Sequence, residues 1–470
     1  MPFLFIGIPL AVVMILNIFK WKNYRTAFWV AWGISLFQMV LASFDLYRCL
    51  SDKTIIQSTF FGKLSVDLFS AVVLLIIGFI GFISVIVAMD TVKSSRFSFG
   101  SVTILLIMGM SGCVMVTDIF SLYVFIEVTA AASFLLIAIE KEESGLEGAF
   151  KYYLMSAVAT TMMLIAIALI FMETGDTSFA AVSAYAADCA GKYSPAFTAA
   201  IILLISALCV KSGVVPFHTW VPDAHSSAPS PVSVILAGIV IKVSGVYALI
   251  RIYRDVFLCD AQMGKVLFIL AVASIIVGAL GAMGQSDIKR MLAFSSVSQI
   301  GYIVLGVASG SYLGFLGALM HFFNHATFKS LLFVNSAVIK TQTGTRDMTK
   351  MGGLSSRMPV TGVSSVVGLL SMAGIPPLSG FWSKLIIIMA VWQVSAPFAV
   401  AALCASVLTL GYFLILQRKV FFGKIAPGME DVRECGGSLK FVELLLSGIN
   451  VLAGFLFPML LIFLHNRGFL

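Results

Sequence analysis

About fourteen runs of roughly twenty apolar residues follow one another along this chain, and a bilayer core of about 30 Å asks for about that length per helical crossing. They lie near residues 2 to 19, 27 to 44, 66 to 89, 100 to 116, 118 to 139, 150 to 172, 197 to 220, 230 to 250, 264 to 284, 291 to 308, 312 to 338, 360 to 393, 398 to 417 and 441 to 464. In hydrocarbon each segment must satisfy its own backbone N–H and C=O groups, so such runs fold as helices. Composition agrees: 60% of the 470 residues are hydrophobic and 11% charged, far from an ordinary soluble domain. The sequence predicts an all-α polytopic membrane protein.

The first run has no basic residue before it, and Lys20, Lys22 and Arg25 follow it. It reads as a retained helix and not as a signal peptide. With the amino terminus outside, most of the 30 Lys and Arg fall in odd-numbered loops, Lys93, Lys289, Arg290, Arg418 and Lys419 among them. A minority, including Arg48, Lys53, Arg251 and Arg467, fall in even loops or the tail. That bias places both termini outside, and the membrane expected is the plasma membrane of a prokaryote. Lys211, Lys242, Lys329 and Lys384 belong to no loop. Lysine can lose its proton when desolvated, and arginine effectively cannot.

Much is excluded. The seven cysteines form no C-x-x-C pair, no phosphate-binding loop is present, and the GALGAMG run at 278–284 fits close helix packing better than a dinucleotide turn. No cofactor, resident metal or nucleic-acid partner is expected, and the net charge of +8 comes from loops and intramembrane lysines. No polar linker is long enough to separate domains, so residues 1–470 read as a single transmembrane domain.

The remaining polarity is concentrated. An ionisable group deep in an apolar helix costs about 2.5 kcal/mol or more on insertion scales and marks a functional position by default. Glu127 lies about nine residues into its span and Lys242 about twelve, roughly 13 to 18 Å deep at 1.5 Å per residue. Lys211 precedes Pro216 by five residues, and Lys384 follows Gly374-Ile375-Pro376-Pro377. Proline removes a backbone donor and clashes with the preceding turn, so both helices should be interrupted. Paired interruptions are the usual pointer to an ion pathway built from inverted repeats, here spans 4 to 8 and 9 to 13 with breaks in spans 7 and 12.

His321, His325 and Lys329 follow i, i+4, i+8 spacing, a ladder on one helix face. The two histidines also match H-x-x-x-H metal spacing, but no acid or cysteine nearby supplies a third ligand. Lys211, Lys329 and Lys384 could instead snorkel to a surface, Glu127 could be a structural hydrogen-bonding group, and Asp67 and Asp118, near span ends, suit capping.

The stretches VKSGVVPFHTWVPDAHSSAPSPVSVILAGIVIKVSGVYALIR, QSDIKRMLAFSSVSQIGYI, HFFNHATFKSLLF and GIPPLSGFWSK together resemble the antiporter-like subunits of respiratory complex I (the NADH-quinone oxidoreductase membrane arm). They also resemble the relatives of those subunits, the large subunits of Mrp-type Na+/H+ antiporters and the membrane arms of energy-converting hydrogenases and formate hydrogenlyase. The resemblance runs over about residues 65–420, and the DAHSSAPSPVS wording is similar to the Mrp D-like and hydrogenase-associated branch. It implies a fold of fourteen helices with two inverted five-helix repeats and a line of intramembrane charges. It also implies roles: Glu127 pairs with Lys211 at the break, Lys242 is the central lysine, His321 and His325 are the eleventh-helix histidines, and Lys384 is the ionisable residue after the second break. His218 and Asp223 fall in the PFHTWLPDAH signature, which has valine at position 221 here; with Lys329 they are secondary candidates. Ser244 stands where relatives often have glycine, and no second acid accompanies Glu127. The chain ends after its last span, so the lateral helix of the largest relatives is not expected.

These roles imply an ion-translocating subunit, with no redox or catalytic centre of its own, of either a complex I-related redox-driven (NADH-quinone oxidoreductase- or hydrogenase-type) complex or an Mrp-type antiporter complex. Its partners would be other membrane subunits, a peripheral redox arm, the bilayer, H+ and Na+. A stand-alone solute transporter and a purely structural membrane-arm subunit are the alternatives; the first needs a compact substrate pocket, and the second has no use for intramembrane lysines.

Overall fold

The computed structural model describes residues 2–18, 24–52, 55–58, 63–92 and 96–466. Lys20, Lys22, Lys53, Lys93 and Arg467 lie outside the described residues, as does the side chain of Arg25. The described chain is helical apart from a small antiparallel pair, β1 (Ile56–Ser58) and β2 (Leu64–Val66), with Ile56 opposite Val66.

Helices come in the order α1 (Leu4–Ile18), α2 (Tyr24–Asp52), α3 (Leu68–Thr91), α4 (Arg96–Met115), α5 (Ile119–Ile137), α6 (Glu143–Thr174), α7 (Phe179–Asp188), α8 (Pro195–Ser212) and α9 (Trp220–Ser227). There follow α10 (Ser230–Val256), α11 (Ala261–Met283), α12 (Ile288–Ala308), α13 (Tyr312–Thr343), α14 (Pro359–Ala373), α15 (Ser379–Val394), α16 (Ala396–Phe421) and α17 (Gly437–Asn466). Among the described residues, 11 helices are long and apolar enough to cross a membrane. Helix α13 is not one of them: its histidines, Asn324 and Lys329 lower its hydropathy, and it is enclosed by α12, α14, α15 and α17 instead of facing lipid.

Local chemistry sets the helix ends. Asp118, Ser178, Ser194, Asp287 and Ser311 each accept a hydrogen bond from a backbone N–H in the first turn of the helix they precede, which satisfies donors that a helix start leaves open. Asp67 does the same before α3, accepting from Ser70 N. Both interruptions expected from proline are present. Helix α8 stops at Gly213 and α14 at Gly374, each in the left-handed conformation that glycine adopts without a Cβ penalty. Links 213–219 and 374–378 follow, each with one cis X-Pro bond, at Val215-Pro216 and Pro376-Pro377.

One element departs from expectation. The apolar run around 230–250 reads as a regular helix, but α10 is wound as π-helix over Leu236–Val240, Lys242–Tyr247 and Ile252–Val256. Such wide turns in natural helices frequently sit at functional positions.

The chain forms two compact units. The first holds residues 1–85, 92–213 and 227–261; in it the stretch of α10 from Pro231 to Ile250 is buried, and α6 lies along α8. The second holds residues 86–91, 214–226 and 262–470, with α13 at its centre.

Candidate functional sites in the two units

In the first unit, Lys211 occupies the last turn of α8, immediately before the helix ends. Its Nζ donates to Glu127 Oε1 at 3.2 Å and, by a short contact, to Ser156 Oγ on α6. The lysine side chain is 2% exposed, so snorkelling is ruled out for it. Glu127 is different: its side chain is 40% exposed on the outside of this chain, not buried as its apolar flanks suggested. The pair therefore joins an enclosed cation to an anion open to whatever adjoins this face.

Lys242 is completely buried in the middle of α10. Its Nζ donates to Gly238 O at 2.6 Å and to Ala237 O, carbonyls of the preceding π-helical stretch. Three residues on, Gly245 presses α10 against α8: a Cβ there would lie 2.5 Å from Ser212 N. No larger residue fits this contact, which fixes the segment carrying Lys242 against the segment carrying Lys211.

A second group of charges in this unit was not foreseen. Arg251, assigned from sequence to a loop, is 14% exposed and donates to both carboxylate oxygens of Asp67, at 2.6 and 2.8 Å, and to Asp255. Tyr247 and Ser70 complete the cluster. Against the burial that would raise it, the guanidinium and the Ser70 hydrogen bonds hold the Asp67 carboxyl well below the usual carboxylate range. Lys289 of the second unit, also expected in a loop, is 2% exposed.

In the second unit, His321, His325 and Lys329 are all buried on α13. The imidazoles are parallel, with centroids 6.4 Å apart, about the rise of one helical turn. Lys329 Nζ donates to Leu292 O at 2.9 Å and to Ser295 Oγ on α12, so it does not reach a surface. His321 Nδ1 is 2.9 Å from Ser383 Oγ, which also accepts from Asn324 Nδ2. One residue further, Lys384 turns back to the end of α14, donating to Met372 O at 2.8 Å and Ala373 O at 3.4 Å. Carbonyls at a helix C-terminus are where a cation is best placed. The ammonium also lies 4.5 Å from the Tyr302 ring centroid, and that ring is 6.0 Å from the His321 ring. Lys384, Tyr302 and His321 thus form one cluster, with Ser383 and Asn324 on its other side.

The secondary candidates are placed less centrally. Asp223 is held by Arg290 at 2.8 Å, an ion pair that ties α9 to the start of α12. His218 lies in link 213–219 with its ring 6.3 Å from that of Phe294.

The family model for the transmembrane region of NADH:quinone oxidoreductase and Mrp antiporter proteins matches residues 116–409, the stretch that contains Glu127, Lys211, Lys242, His321, His325 and Lys384. The chain belongs to this family. It is 34% identical over 341 residues to the N subunit of the NADH-quinone oxidoreductase of Desulforudis audaxviator, covering 72% of this chain and 67% of that protein. It is 29% identical over 403 residues to the D-type component of the Na+/H+ antiporter of Alkalihalophilus pseudofirmus, covering 85% of this chain and 81% of that one. Among solved structures, a chain of the membrane-bound sulfane sulfur reductase, an archaeal respiratory membrane complex, superposes with a TM-score of 0.90 at 27% identity, covering 99% of this chain and 96% of that chain. This member of the NADH:quinone oxidoreductase/Mrp antiporter family is a multi-pass, antiporter-like membrane protein. The residues that the sequence did not single out in it, Ser156, Ser295, Tyr302, Asn324 and Ser383, are neutral hydrogen-bonding groups contributed by other helices to the ionisable ones.

Proposed function

We propose that the chain translocates protons, or exchanges a cation such as Na+ for protons, as the antiporter-like subunit of a multisubunit membrane complex. Glu127, Lys211 and Lys242 carry the proton in the first unit, and His325, His321 and Lys384 carry it in the second. Lys329, His218 and Asp223 play supporting parts. The single observation that carries this reading is the Lys211 to Glu127 contact: an enclosed lysine whose counter-ion is one half-exposed carboxylate.

An opposite charge favours the ionised lysine, and a low dielectric opposes it. Drawing Glu127 away therefore favours proton release from Lys211; restoring the pair favours uptake. The driving event comes from a neighbouring subunit, by redox chemistry or by Na+ movement, and the exposed side of Glu127 is where it acts. That α8 and α14 each end on a left-handed glycine, Gly213 and Gly374, supports two inverted five-helix repeats within one transmembrane domain of fourteen crossings. The loop charges support both termini outside, and the bacterial relatives support a prokaryotic plasma membrane.

The test uses the assembled complex in membrane vesicles. Lys211→Met and Glu127→Gln should assemble normally and lose proton translocation; full translocation in either variant would remove the assignment.

A further inference from the structure

A buried glutamate outside the expected relay heads a polar seam that leads into the second unit's cluster. Glu443 lies about 9 Å into α17 and is completely buried. Its Oε2 is 3.1 Å from Thr361 Oγ1, and the same hydroxyl is 2.8 Å from Oε1 of Glu434, which lies half-buried before α17 and accepts from Val360 N at the start of α14. With its amide nitrogen turned towards α17, Asn335 donates to Glu443 Oε1 at 2.8 Å.

Thr361 has one hydroxyl hydrogen and faces a carboxylate oxygen on each side. If that hydrogen goes to Glu434, the contact with Glu443 is a hydrogen bond only when Glu443 itself carries a proton, and the converse holds for Glu434. One extra proton shared by the two acids therefore turns both contacts into hydrogen bonds. A proton arriving on Glu434 passes to Thr361 Oγ1 as the hydroxyl's own hydrogen passes to Glu443 Oε2, so one O–H bond breaks for each that forms.

Beyond Glu443 the polarity continues inward. Ser447 and Asn450 follow at i+4 and i+7 on α17, the spacing of one helix face, and α17 packs along α14. Asn450 Oδ1 is 3.4 Å from Ser379 Oγ. The Ser379 carbonyl in turn accepts from Asn324 Nδ2 at 2.9 Å, and Asn324 shares Ser383 with His321. From Glu443 to Asn450 the helix rises about 10 Å; the Ser447 hydroxyl lies part-way, and one bridging water on each side of it would complete the path.

We propose that Glu443 and Glu434 form the proton port of the second unit, loading or unloading His321 and Lys384 through the seam between α14 and α17. This rests on the reading of Lys384 as a proton carrier. The Glu434, Cys435 and Glu443 donor atoms also lie within 4.8 Å of one another, but the Glu434 oxygens are already engaged by backbone N–H groups and Thr361, which disfavours a metal there.

The experiment compares Glu443→Gln, Glu443→Asp, Thr361→Val and Lys384→Met in the assembled complex in vesicles, with and without sodium azide as a small proton-carrying acid. Glu443→Gln should lower proton translocation at least about tenfold, Glu443→Asp should retain most of it, and azide should restore Glu443→Gln without restoring Lys384→Met. Thr361→Val, which keeps shape and loses only the hydroxyl, should slow translocation severalfold, and it carries the test if Glu443→Gln fails to assemble. Normal translocation in Glu443→Gln beside a defective Lys384→Met overturns the port alone. Normal translocation in Lys384→Met overturns the underlying reading. An assembled Glu443→Gln complex that neither azide nor the aspartate variant restores makes Glu443 structural and also overturns the port.

Discussion

Lys211 Nζ lies 3.2 Å from Glu127 Oε1, yet the lysine side chain is 2% exposed and the glutamate side chain 40%. The asymmetry separates two jobs. Lys211 is shielded from stray protons, and Glu127 is available to a neighbour. Ser156, the second acceptor for the ammonium, should matter when Glu127 moves away, because it alone then stabilises the charged lysine. Ser156→Ala should therefore leave assembly unchanged and slow translocation severalfold, measured as the initial rate of vesicle acidification.

Lys384 faces the ring of Tyr302 at 4.5 Å from the centroid. A desolvated cation over an aromatic face gains about 2 kcal/mol, whereas the phenol hydroxyl donates elsewhere, to Ala402 O. Tyr302→Phe should translocate at nearly the normal rate. Tyr302→Leu should lose about tenfold or more, since about 1.4 kcal/mol is one decade. Rates of the two variants in the same vesicles check this.

Gly245 brings α10 against α8, with a Cβ there 2.5 Å from Ser212 N. Overpacking of this kind costs about 1 to 3 kcal/mol. Gly245→Ala should lower the thermal midpoint of the purified complex and reduce translocation. Gly448→Ala, where nothing lies within 4 Å, should be neutral in both measurements.

Arg251 and Asp67 are joined by two hydrogen bonds at 2.6 and 2.8 Å. Removing one charged partner should cost about 2 kcal/mol, seen as a lower midpoint for Asp67→Asn at neutral pH. The Asp67 carboxyl is held below its ordinary value, so its stabilisation is full above the unfolded carboxylate range, about pH 4, and is lost as the pH falls through the lower native value. The midpoints of the variant and the native chain should start to converge below about pH 4.

Sequence carried the all-α membrane fold and its two helix breaks well because proline, glycine and intramembrane charge act locally. Pro216 and Pro376-Pro377 announced both breaks, and the i, i+4, i+8 spacing of His321, His325 and Lys329 already placed them on one face. What it did not carry depends on distant partners. Arg251 looked like a loop residue because its counter-ion, Asp67, lies 184 positions away. Tyr302, Asn324 and Ser383 are ordinary helix residues until the fold sets them around His321. The π-helical winding of α10 leaves no mark on a run of apolar residues, and the exposure of Glu127 depends on which side of α5 meets α6. Glu443 did have a signal, as the sole acid within the last apolar run, but its partners Thr361 and Glu434 belong to other segments.

The central claim is that the intramembrane lysines work by giving up and regaining a proton. Lys211→Arg tests it most directly, because arginine keeps the charge and the hydrogen bonds to Glu127 but effectively cannot deprotonate. Measured as protons moved per turnover in vesicles holding the assembled complex, Lys211→Arg is expected to assemble and to translocate at background. Normal translocation by Lys211→Arg would mean that a fixed positive charge suffices, and the relay through Lys211 would be contradicted.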